Sequence, residues 1–450
     1  MQIKQWEDKY LAQFSYGVLS DCEKKIVLID PARNPQPYLD FAKENAAEIV
    51  GIIETHPHAD FISSHCELKQ RTGATIYTSS LVDARYPHQA FDEGQTIQIG
   101  KIRLTALNTP GHSPDSISVL LEHDGKDKAI FSGDTLFVGD CGRPDLREGA
   151  GNLRAARKDL ATNMYQTLRE KFMPLADDVI LYPAHGAGTL CGKGLGDAKS
   201  STMGAEKQTN WSLQPMSDAE FVEALLKDQP FVPAYFPYDV EVNRKGAKPF
   251  QESVAAVTLG TPVKSEGDLA RLAKNVILVD ARNGKAYKKE HLPHSVNLME
   301  GEKFETWLGS IIKPEEPFYL AAEDEAQLKR LIARAAAIGY EAQIKEAFVL
   351  EYGNEEQPLL NIDSFKENTK DYTIVDVRNA SEAKLHKPFA HSINIPLPEL
   401  RARVHEIPTS KPVVVHCAGG YRSAAGSSIV NSELGEKTKV FDLGEAIKKF

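Results

Sequence analysis

Residues 55–60 read Thr-His-Pro-His-Ala-Asp and come one residue after the apolar run 49–53, Ile-Val-Gly-Ile-Ile. A compact apolar run of this length is typical of a buried β-strand. An earlier run, Lys25–Asp30, also ends at a carboxylate. Two imidazoles and a carboxylate close together at a strand end can converge on one metal ion, because both groups are common metal ligands. The stretch therefore predicts a metal site where the strand ends.

Three later loops carry further histidine or aspartate side chains directly after apolar strands. They are Thr109–Ser113 (TPGHS), Ser132–Thr135 (SGDT) and Tyr182–Gly186 (YPAHG). The first two contain a glycine where the backbone must turn tightly. Each loop alone reads equally well as an ordinary turn. Four such loops at strand ends favour a shared metal site over that alternative.

The composition of the 450-residue chain is that of a globular protein, with 42% hydrophobic and 26% charged residues. At roughly 150 residues per domain, the length predicts about three domains. The net charge of −10 gives no basis for binding nucleic acid or an anionic membrane surface. No apolar run approaches the roughly 20 residues that span a bilayer. Five cysteines are too few for a disulfide framework, so we expect a cytoplasmic protein.

The C-terminal part of the chain contains an internal repeat. Ile277–Arg282 (ILVDAR) is similar to Ile374–Arg378 (IVDVR), and His294–Asn297 (HSVN) is similar to His391–Asn394 (HSIN). Each copy continues into an apolar strand and a helical pattern, which predicts two small α/β domains with parallel sheets. The predicted division of the chain is therefore 1–250, 251–355 and 356–450.

Two further segments complete the prediction for the N-terminal part. Residues 61–71 predict a helix that ends at Gly73. Residues 192–210 are small and polar, and they predict a long loop or docking segment rather than part of the core.

The segment Val413–Cys417 predicts a buried strand that ends in a cysteine. Paired glycines and Arg422 follow before a helical pattern begins. A strand, a glycine loop and a helix N-terminus form a nest of backbone N–H groups, which favours an anion and a reactive thiolate. Arg422 can offer a forked donor to an oxyanion such as sulfite. The remaining residues predicted to contact this substrate are Gly419, Gly420, Tyr421 and Ser423; the alternative is an inert buried cysteine.

The first copy of the repeat has no such loop. Leu320–Glu325 (LAAEDE) occupies the place of the strand end and the cysteine. Without a thiol, and with three acidic residues, this segment cannot hold a sulfane sulfur or attract an anion. The first copy is predicted to be a scaffold or docking surface.

The metal motif resembles the HxHxDH signature of the metallo-β-lactamase superfamily, which is followed by later His, Asp and His ligands. The resemblance covers roughly residues 1–192 and implies an αββα sandwich. Phe61 stands where the last histidine of the signature would be. Glyoxalase II, a dizinc hydrolase, uses that histidine for its second metal. Its loss favours a single metal ion.

Within this superfamily, the chain resembles persulfide dioxygenases, which hold one Fe(II) ion. The resemblance implies that His56, His112 and Asp134 bind one Fe(II) per chain. Two imidazoles and one carboxylate form the facial triad of non-heme Fe(II) oxygenases. The other polar residues of these loops would orient the ligands or hold water. They are His58, Asp60 and His185.

The sequence leaves two possible roles open for each of three residues near this motif. Arg143 lies in a segment that resembles the CGRxD sequence of persulfide dioxygenases, and it would either bind a substrate carboxylate or pair with Asp145. Cys191 follows His185 closely, and it would either relay sulfur from the metal site or remain a plain surface thiol. Cys141 would either line the site or pack in the core.

The cysteine segment resembles the active-site loop of rhodaneses, with four residues between Cys417 and Arg422. Cysteine phosphatases have five residues there, so the shorter loop fits sulfur transfer.

The order of domains resembles bacterial persulfide dioxygenase–sulfurtransferase fusions: a metallo-β-lactamase-like dioxygenase with a C-terminal extension, an inactive rhodanese-like domain and an active rhodanese. The resemblance implies that O2 oxidises a glutathione or CoA persulfide to sulfite. Cys417 would then combine sulfite with sulfane sulfur to give thiosulfate, which detoxifies sulfide and persulfide.

Two other functions remain open from the sequence. One is a dizinc hydrolase of the glyoxalase II type fused to a sulfurtransferase. The other is a sulfur carrier or persulfide sensor whose N-terminal domain is a scaffold. Metallo-β-lactamase-like dioxygenases often associate, so a homo-oligomer is also among the expectations, although no segment marks an interface.

Overall fold

The computed structural model describes residues 1–146 and 156–450. They form two compact units. The first contains Met1–Glu252 with Ala336–Gly339, and the second contains Ser253–Ala335 with Tyr340–Phe450. Among the described residues, no helix is both long enough and apolar enough to cross a bilayer.

The first unit contains two six-stranded sheets. In the first sheet the strands lie in sequence order, antiparallel up to the third strand and parallel from there on. Its strands are β1 Gln2–Asp8, β2 Gln13–Ser20, β3 Lys25–Ile29, β4 Glu48–Ile53, β5 Thr75–Thr78 and β6 Gln89–Ala90. The strands of the second sheet are β7 Thr96–Ile99, β8 Ile102–Asn108, β9 Ile117–His123, β10 Lys126–Gly133, β11 Ile180–Pro183 and β12 Ser201–Thr202. They also lie in sequence order, and only β10 and β11 are parallel to each other.

The two sheets pack face to face, and helices cover their outer faces. Alternate side chains of β2, such as Phe14 and Tyr16, meet Leu104 and Val119 of the second sheet in one buried core. Separate apolar clusters join five of these helices, those before residue 227, to the outer faces. The helices are α1 Gln36–Glu44, α2 His65–Thr72, α3 Arg157–Thr167, α4 Met203–Thr209, α5 Asp218–Leu226, α6 Phe236–Lys245 and α7 Phe250–Ala255. This arrangement confirms the predicted αββα sandwich.

The second unit contains two four-stranded sheets in which all strands are parallel. The first has the order β14-β13-β15-β16, with β13 Ile277–Asp280, β14 Ser295–Asn297, β15 Phe318–Ala322 and β16 Ile344–Val349. The second has the order β18-β17-β19-β20, with β17 Thr373–Asp376, β18 Ile393–Asn394, β19 Val413–His416 and β20 Val440–Asp442. The helices are α8 Gly284–Lys289, α9 Phe304–Ile311, α10 Glu325–Ala337, α11 Ile362–Glu367, α12 Ala380–Leu385, α13 Leu397–Arg403 and α14 Tyr421–Leu434. The shared strand order confirms that the sequence repeat is a repeat of α/β folds.

The start of α2 differs from the prediction. The helix begins at His65 rather than Phe61. The side-chain amide of Asn243 donates to the carbonyl oxygens of His58 and Phe61 at 2.8 and 2.7 Å, and it accepts from the N–H of Ser63 at 2.9 Å. Because these backbone groups bond to a side chain of α6, they do not form helical hydrogen bonds.

Candidate metal centre and cysteine loop

The three residues predicted as metal ligands converge at one point in the first unit. His56 follows β4, His112 lies between β8 and β9, and Asp134 follows β10. Oδ2 of Asp134 is 3.5 Å from Nε2 of His112 and 3.7 Å from Nε2 of His56. Ligand atoms about 2.1 Å from a shared ion lie roughly 3 to 3.5 Å apart. Oδ2 is buried and has no hydrogen-bond partner among the described residues, so this set of atoms fits one metal ion.

His56 is oriented by a short chain of hydrogen bonds. Oγ1 of Thr55 donates to Oδ2 of Asp30 at 2.9 Å and lies 3.0 Å from Nδ1 of His56. Because the hydroxyl hydrogen is used on Asp30, Nδ1 of His56 is the donor in the second contact. Nε2 therefore keeps its lone pair for a metal ion.

His112 is oriented by the backbone. Its Nδ1 lies 2.9 Å from the carbonyl oxygen of Arg143. A carbonyl oxygen only accepts, so Nδ1 carries the hydrogen and Nε2 faces Asp134 with a lone pair. Burial lowers the pKa of both His112 and His56 below the ordinary histidine value. Both rings are therefore neutral, as metal ligands must be.

His185 lies between two carboxylates. Its Nδ1 contacts Oδ1 of Asp134 at 2.7 Å, and its Nε2 is 2.8 Å from Oδ2 of Asp60. Burial would lower the pKa of His185, but the charges of Asp134 and Asp60 raise it well above its usual value. A protonated His185 holds Asp134 so that Oδ2 points at His56 and His112. This is the arrangement expected of residues that orient metal ligands.

The ring of His58 packs against that of His56, with ring centres 4.3 Å apart, but its Nε2 faces carboxylates outside the predicted ligand set. Its Nε2 is 3.1 Å from Oδ1 of Asp30 and 3.8 Å from Oε2 of Glu54. The ring of Phe61, at the place of the absent histidine, packs against His58 with ring centres 4.3 Å apart. The position that would carry the second-metal histidine of a dizinc hydrolase is therefore filled by an apolar ring. Asn243, which fixes this segment, was not predicted, because no local motif marks it.

The two cysteines near the metal motif have different surroundings. The sulfur of Cys191 lies within 4.8 Å of ligand atoms of Asp60 and His185 and is buried. Burial and the charges of Asp60 and Asp134 raise the pKa of this thiol. Cys191 therefore reaches the metal region and is not a surface thiol. Cys141 packs in the apolar cluster under α3 and α5, which favours the packing interpretation.

Arg143 is fully buried, and protein acceptors use all five of its N–H donors. Nε and Nη2 form a fork on Asp145, with both distances 2.7 Å. The other three donors reach the carbonyl oxygens of Leu190, Pro230 and Phe231. Its predicted role in binding a substrate carboxylate is therefore disfavoured, because no donor is left for a ligand. The structure favours the pairing role, in which Arg143 joins its own segment to two distant loops.

We use the name cysteine loop for Cys417–Arg422, which joins β19 to α14. The backbone N–H of Gly420 donates to Sγ of Cys417 at 3.1 Å. Gly420 has a φ of 102°, a conformation that residues with a Cβ rarely adopt. At Gly419, a Cβ would meet no atom within 4 Å, so this side of the loop is open. The loop therefore has the shape expected of an anion-binding nest beside a thiol.

The hydroxyl groups of the loop region already have protein partners. Tyr421 donates to the carbonyl oxygen of Met299 at 2.7 Å, and Ser423 donates to Oδ1 of Asp442 at 2.6 Å. Their side chains hold the loop in place. A substrate anion would therefore meet the backbone of the loop and Arg422 rather than these two hydroxyls.

Arg422 differs from Arg143 in the number of donors that are used. Nη1 and Nη2 form a fork on Glu382 of α12 at 2.6 and 2.8 Å. The other N–H groups of Arg422 have no hydrogen-bond acceptor among the described residues. Burial would lower the pKa of Arg422, but Glu382 and then Cys417 raise it, so the guanidinium stays charged beside the thiol. No local pattern in the sequence had marked Glu382.

The corresponding loop of the first repeat is closed by its own acidic side chains. Oε1 of Glu323 lies within hydrogen-bonding distance of the backbone N–H of Asn283 at 3.2 Å, and Oδ1 of Asp324 accepts from the N–H of Gln327 at 2.7 Å. Asp324 therefore precedes α10 and presents an acidic side chain at its N-terminus. This position repels an anion, in agreement with the predicted lack of activity.

The sequence matches the Metallo-beta-lactamase superfamily over residues 15–185 and the Rhodanese-like domain over residues 267–356 and 361–450. A hydroxyacylglutathione hydrolase of Francisella philomiragia is 31% identical over 192 residues, which cover 41% of this chain and 68% of that protein. Human mitochondrial persulfide dioxygenase ETHE1 is 27% identical over 185 residues, which cover 41% of this chain and 67% of that protein. A crystal structure of a metallo-beta-lactamase from Staphylococcus aureus superposes with a TM-score of 0.68 and 29% identity, over 77% of this chain and 98% of that one. Hydrolases and dioxygenases are thus similarly related to this chain.

Proposed function

Since the chain belongs to the metallo-beta-lactamase superfamily and carries two rhodanese-like domains, we propose that it is a persulfide dioxygenase–sulfurtransferase fusion of the CstB type. It oxidises a low-molecular-weight persulfide to sulfite and then converts sulfite into thiosulfate. The observation that supports this proposal most strongly is the donor set of His56, His112 and Asp134. Phe61 stands in place of the histidine that would bind a second metal ion. Two imidazoles and one carboxylate suit a single Fe(II) ion with open positions.

In the first reaction RSSH, O2 and water give RSH, sulfite and two protons. The terminal sulfur loses four electrons, and O2 accepts them. A bound Fe(II) ion would bring the persulfide sulfur and O2 together and supply redox chemistry. The residues of the chain keep His56 and His112 neutral and hold Asp134 in position through His185. The buried walls around this donor set exclude bulk water.

In the second reaction, the thiolate of Cys417 attacks the sulfane sulfur of another RSSH molecule. A persulfide forms on Cys417, and the thiolate RS⁻ leaves. Sulfite then attacks the outer sulfur, so that the S–S bond of thiosulfate forms and the Cys417 thiolate is released. The open backbone of the cysteine loop and the charge of Arg422 hold sulfite for this attack.

One experiment tests both halves. The purified chain is given glutathione persulfide or CoA persulfide, and O2 uptake, sulfite, thiosulfate and metal content are measured together. The proposal expects one iron per chain, O2 uptake and thiosulfate as the main product. Two zinc ions and no O2 uptake would reject it.

The alternative function is a dizinc hydrolase of the glyoxalase II type. It is supported by the cluster of Asp60, His185 and Cys191 and by the similarity to hydroxyacylglutathione hydrolases. Hydrolysis of S-lactoylglutathione by the zinc-loaded chain would favour it. If neither substrate reacts, a persulfide sensor or sulfur carrier that uses Cys417 is the remaining interpretation. The low cysteine content supports a reducing cytoplasm as the setting for all three functions.

A further inference from the structure

The first rhodanese-like domain, which has no cysteine, contributes side chains to the cysteine loop of the second. Both domains lie in the same compact unit. The ring of Trp307 on α9 lies 5.7 Å from the guanidinium carbon of Arg422. Lys288 of α8 pairs with Asp442 at 2.7 Å, and Asp442 in turn accepts from Ser423, next to the loop. The cysteine-free domain therefore forms part of the surroundings of Cys417.

Arg422 is held from two sides. Glu382 binds both terminal nitrogens in a fork, which fixes the direction of the guanidinium. The Trp307 ring supplies an aromatic neighbour, and Trp307 is only 8% exposed. Arginine is favoured at sites of this kind, because its planar group can stack on a ring and still use its edges as donors.

A long side chain that is ordered before its ligand arrives loses less conformational entropy when the ligand binds. The N–H groups of Arg422 that Glu382 does not use are charged donors at the end of the loop that begins with Cys417. If the ring of Trp307 is removed, the Glu382 fork remains, but the guanidinium loses its aromatic neighbour and is less well ordered before the anion binds. The affinity for an anion at the loop then falls, while the reactivity of the thiol is unchanged.

We propose that Trp307 is a positioning residue of the Cys417 site, through which the cysteine-free domain sets the affinity for the anionic sulfur acceptor. The inference rests on the proposed function only in naming sulfite as that acceptor. The inactive domain thereby acquires a specific role, which is to hold Arg422 ready for the anion.

The test uses Trp307→Leu in the full chain. We expect the KM for sulfite to rise about three- to tenfold, the range that loss of a buried cation–π contact allows. The kcat at saturating sulfite should stay within about twofold, because the thiol chemistry is untouched. Trp307→Phe should recover most of the affinity, since an aromatic ring is restored. Lys345→Gln is the control, because it removes a cation 5.6 Å from the Tyr319 ring in the same domain.

A second measurement separates failure of the inference from failure of the proposed function. Sulfite binding to the Cys417→Ser chain is measured by calorimetry, with and without Trp307→Leu. If the wild-type chain makes no thiosulfate but Trp307→Leu weakens sulfite binding, the proposed function is wrong and the positioning role stands. Equal sulfite affinity in the two chains would overturn the positioning role. So would a loss of kcat that Trp307→Phe does not restore.

Discussion

Nδ1 of His185 lies 2.7 Å from Oδ1 of Asp134, and this contact turns the other oxygen of the same carboxylate toward the two neutral imidazoles. A histidine of this kind would orient a metal ligand through a hydrogen bond without binding the metal ion itself. If a second ion occupied the cluster of Asp60, His185 and Cys191, the same histidine would bind it directly. The role of His185 therefore distinguishes the two candidate functions.

Replacement of His185 by glutamine should weaken metal binding by about 10- to 100-fold while one metal per chain remains the limit at saturation. Asp134 loses the charged partner that fixes its orientation, but the three ligands stay in place. Metal affinity is measured by competition with a chelator. His123→Gln, at a partly exposed histidine on β9, is the control. If the wild-type chain bound two metal ions and the His185→Gln variant bound one, His185 would be a metal ligand and not an orienting residue.

Replacement of His56 by alanine should abolish iron binding and O2 uptake with persulfide substrates. Two ligands rarely retain a catalytic metal that needs three protein ligands. Thiosulfate formation from added sulfite and persulfide should persist, because the Cys417 site lies in the other unit. Full iron content and O2 uptake in this variant would show that the ligand assignment is wrong.

Replacement of Cys417 by serine should stop thiosulfate formation and leave O2 uptake intact, so that sulfite accumulates. The serine hydroxyl is a poor nucleophile and cannot carry sulfane sulfur under these conditions. Products are measured by chromatography beside an oxygen electrode. Cys22→Ser is the control, since Cys22 is exposed. Unchanged thiosulfate in the Cys417 variant would reject the coupled scheme.

The sequence predicted features whose causes are local. The apolar runs that became β3 and β4 end in polar residues, so their strand ends and the candidate ligand His56 after β4 were visible directly. The cysteine loop was equally visible, because its glycines, cysteine and arginine are adjacent in the chain. In both cases, the residues that carry the chemistry lie next to the element that positions them.

Features that depend on distant partners were not predicted. The segment 192–210 was expected to be a loop, yet it contains β12 and α4. Buried Glu206 on α4 accepts from the N–H of Gly139 and from Asn210 at 2.8 and 2.9 Å, and Met203 packs in the core. The start of α2 was misplaced for a similar reason, since Asn243 is far away in sequence. Local composition contains no information about such contacts.

Replacement of Arg143 by glutamine should lower the free energy of unfolding by about 3–5 kcal/mol, because it breaks the ion pair of a fully buried arginine and leaves Asp145, whose side chain is 10% exposed, without its partner. The arginine also donates to three carbonyl groups in two distant loops. Urea denaturation of the first unit measures this effect. Arg403→Gln removes a surface arginine paired with Glu399 and Glu406, and it should lower the free energy of unfolding far less, because solvent screens surface ion pairs. Equal effects of the two substitutions would contradict the structural role of Arg143.

The pairing of Glu382 with Arg422 predicts a pH dependence of stability. Burial would raise the pKa of Glu382, but the Arg422 guanidinium lowers it below the ordinary glutamate value. A carboxyl group with a lowered folded pKa adds stability that is fully present above its unfolded pKa of about 4.3 and is lost as the pH falls through the folded pKa. Glu382→Gln removes this contribution. The difference in urea midpoint between wild type and variant should therefore be constant from about pH 5 to 7 and shrink below about pH 4.

Glu406→Gln, at an exposed ion pair, should give a smaller difference. A difference for Glu382→Gln that does not change with pH would show that the carboxylate charge is not what stabilises the cysteine loop.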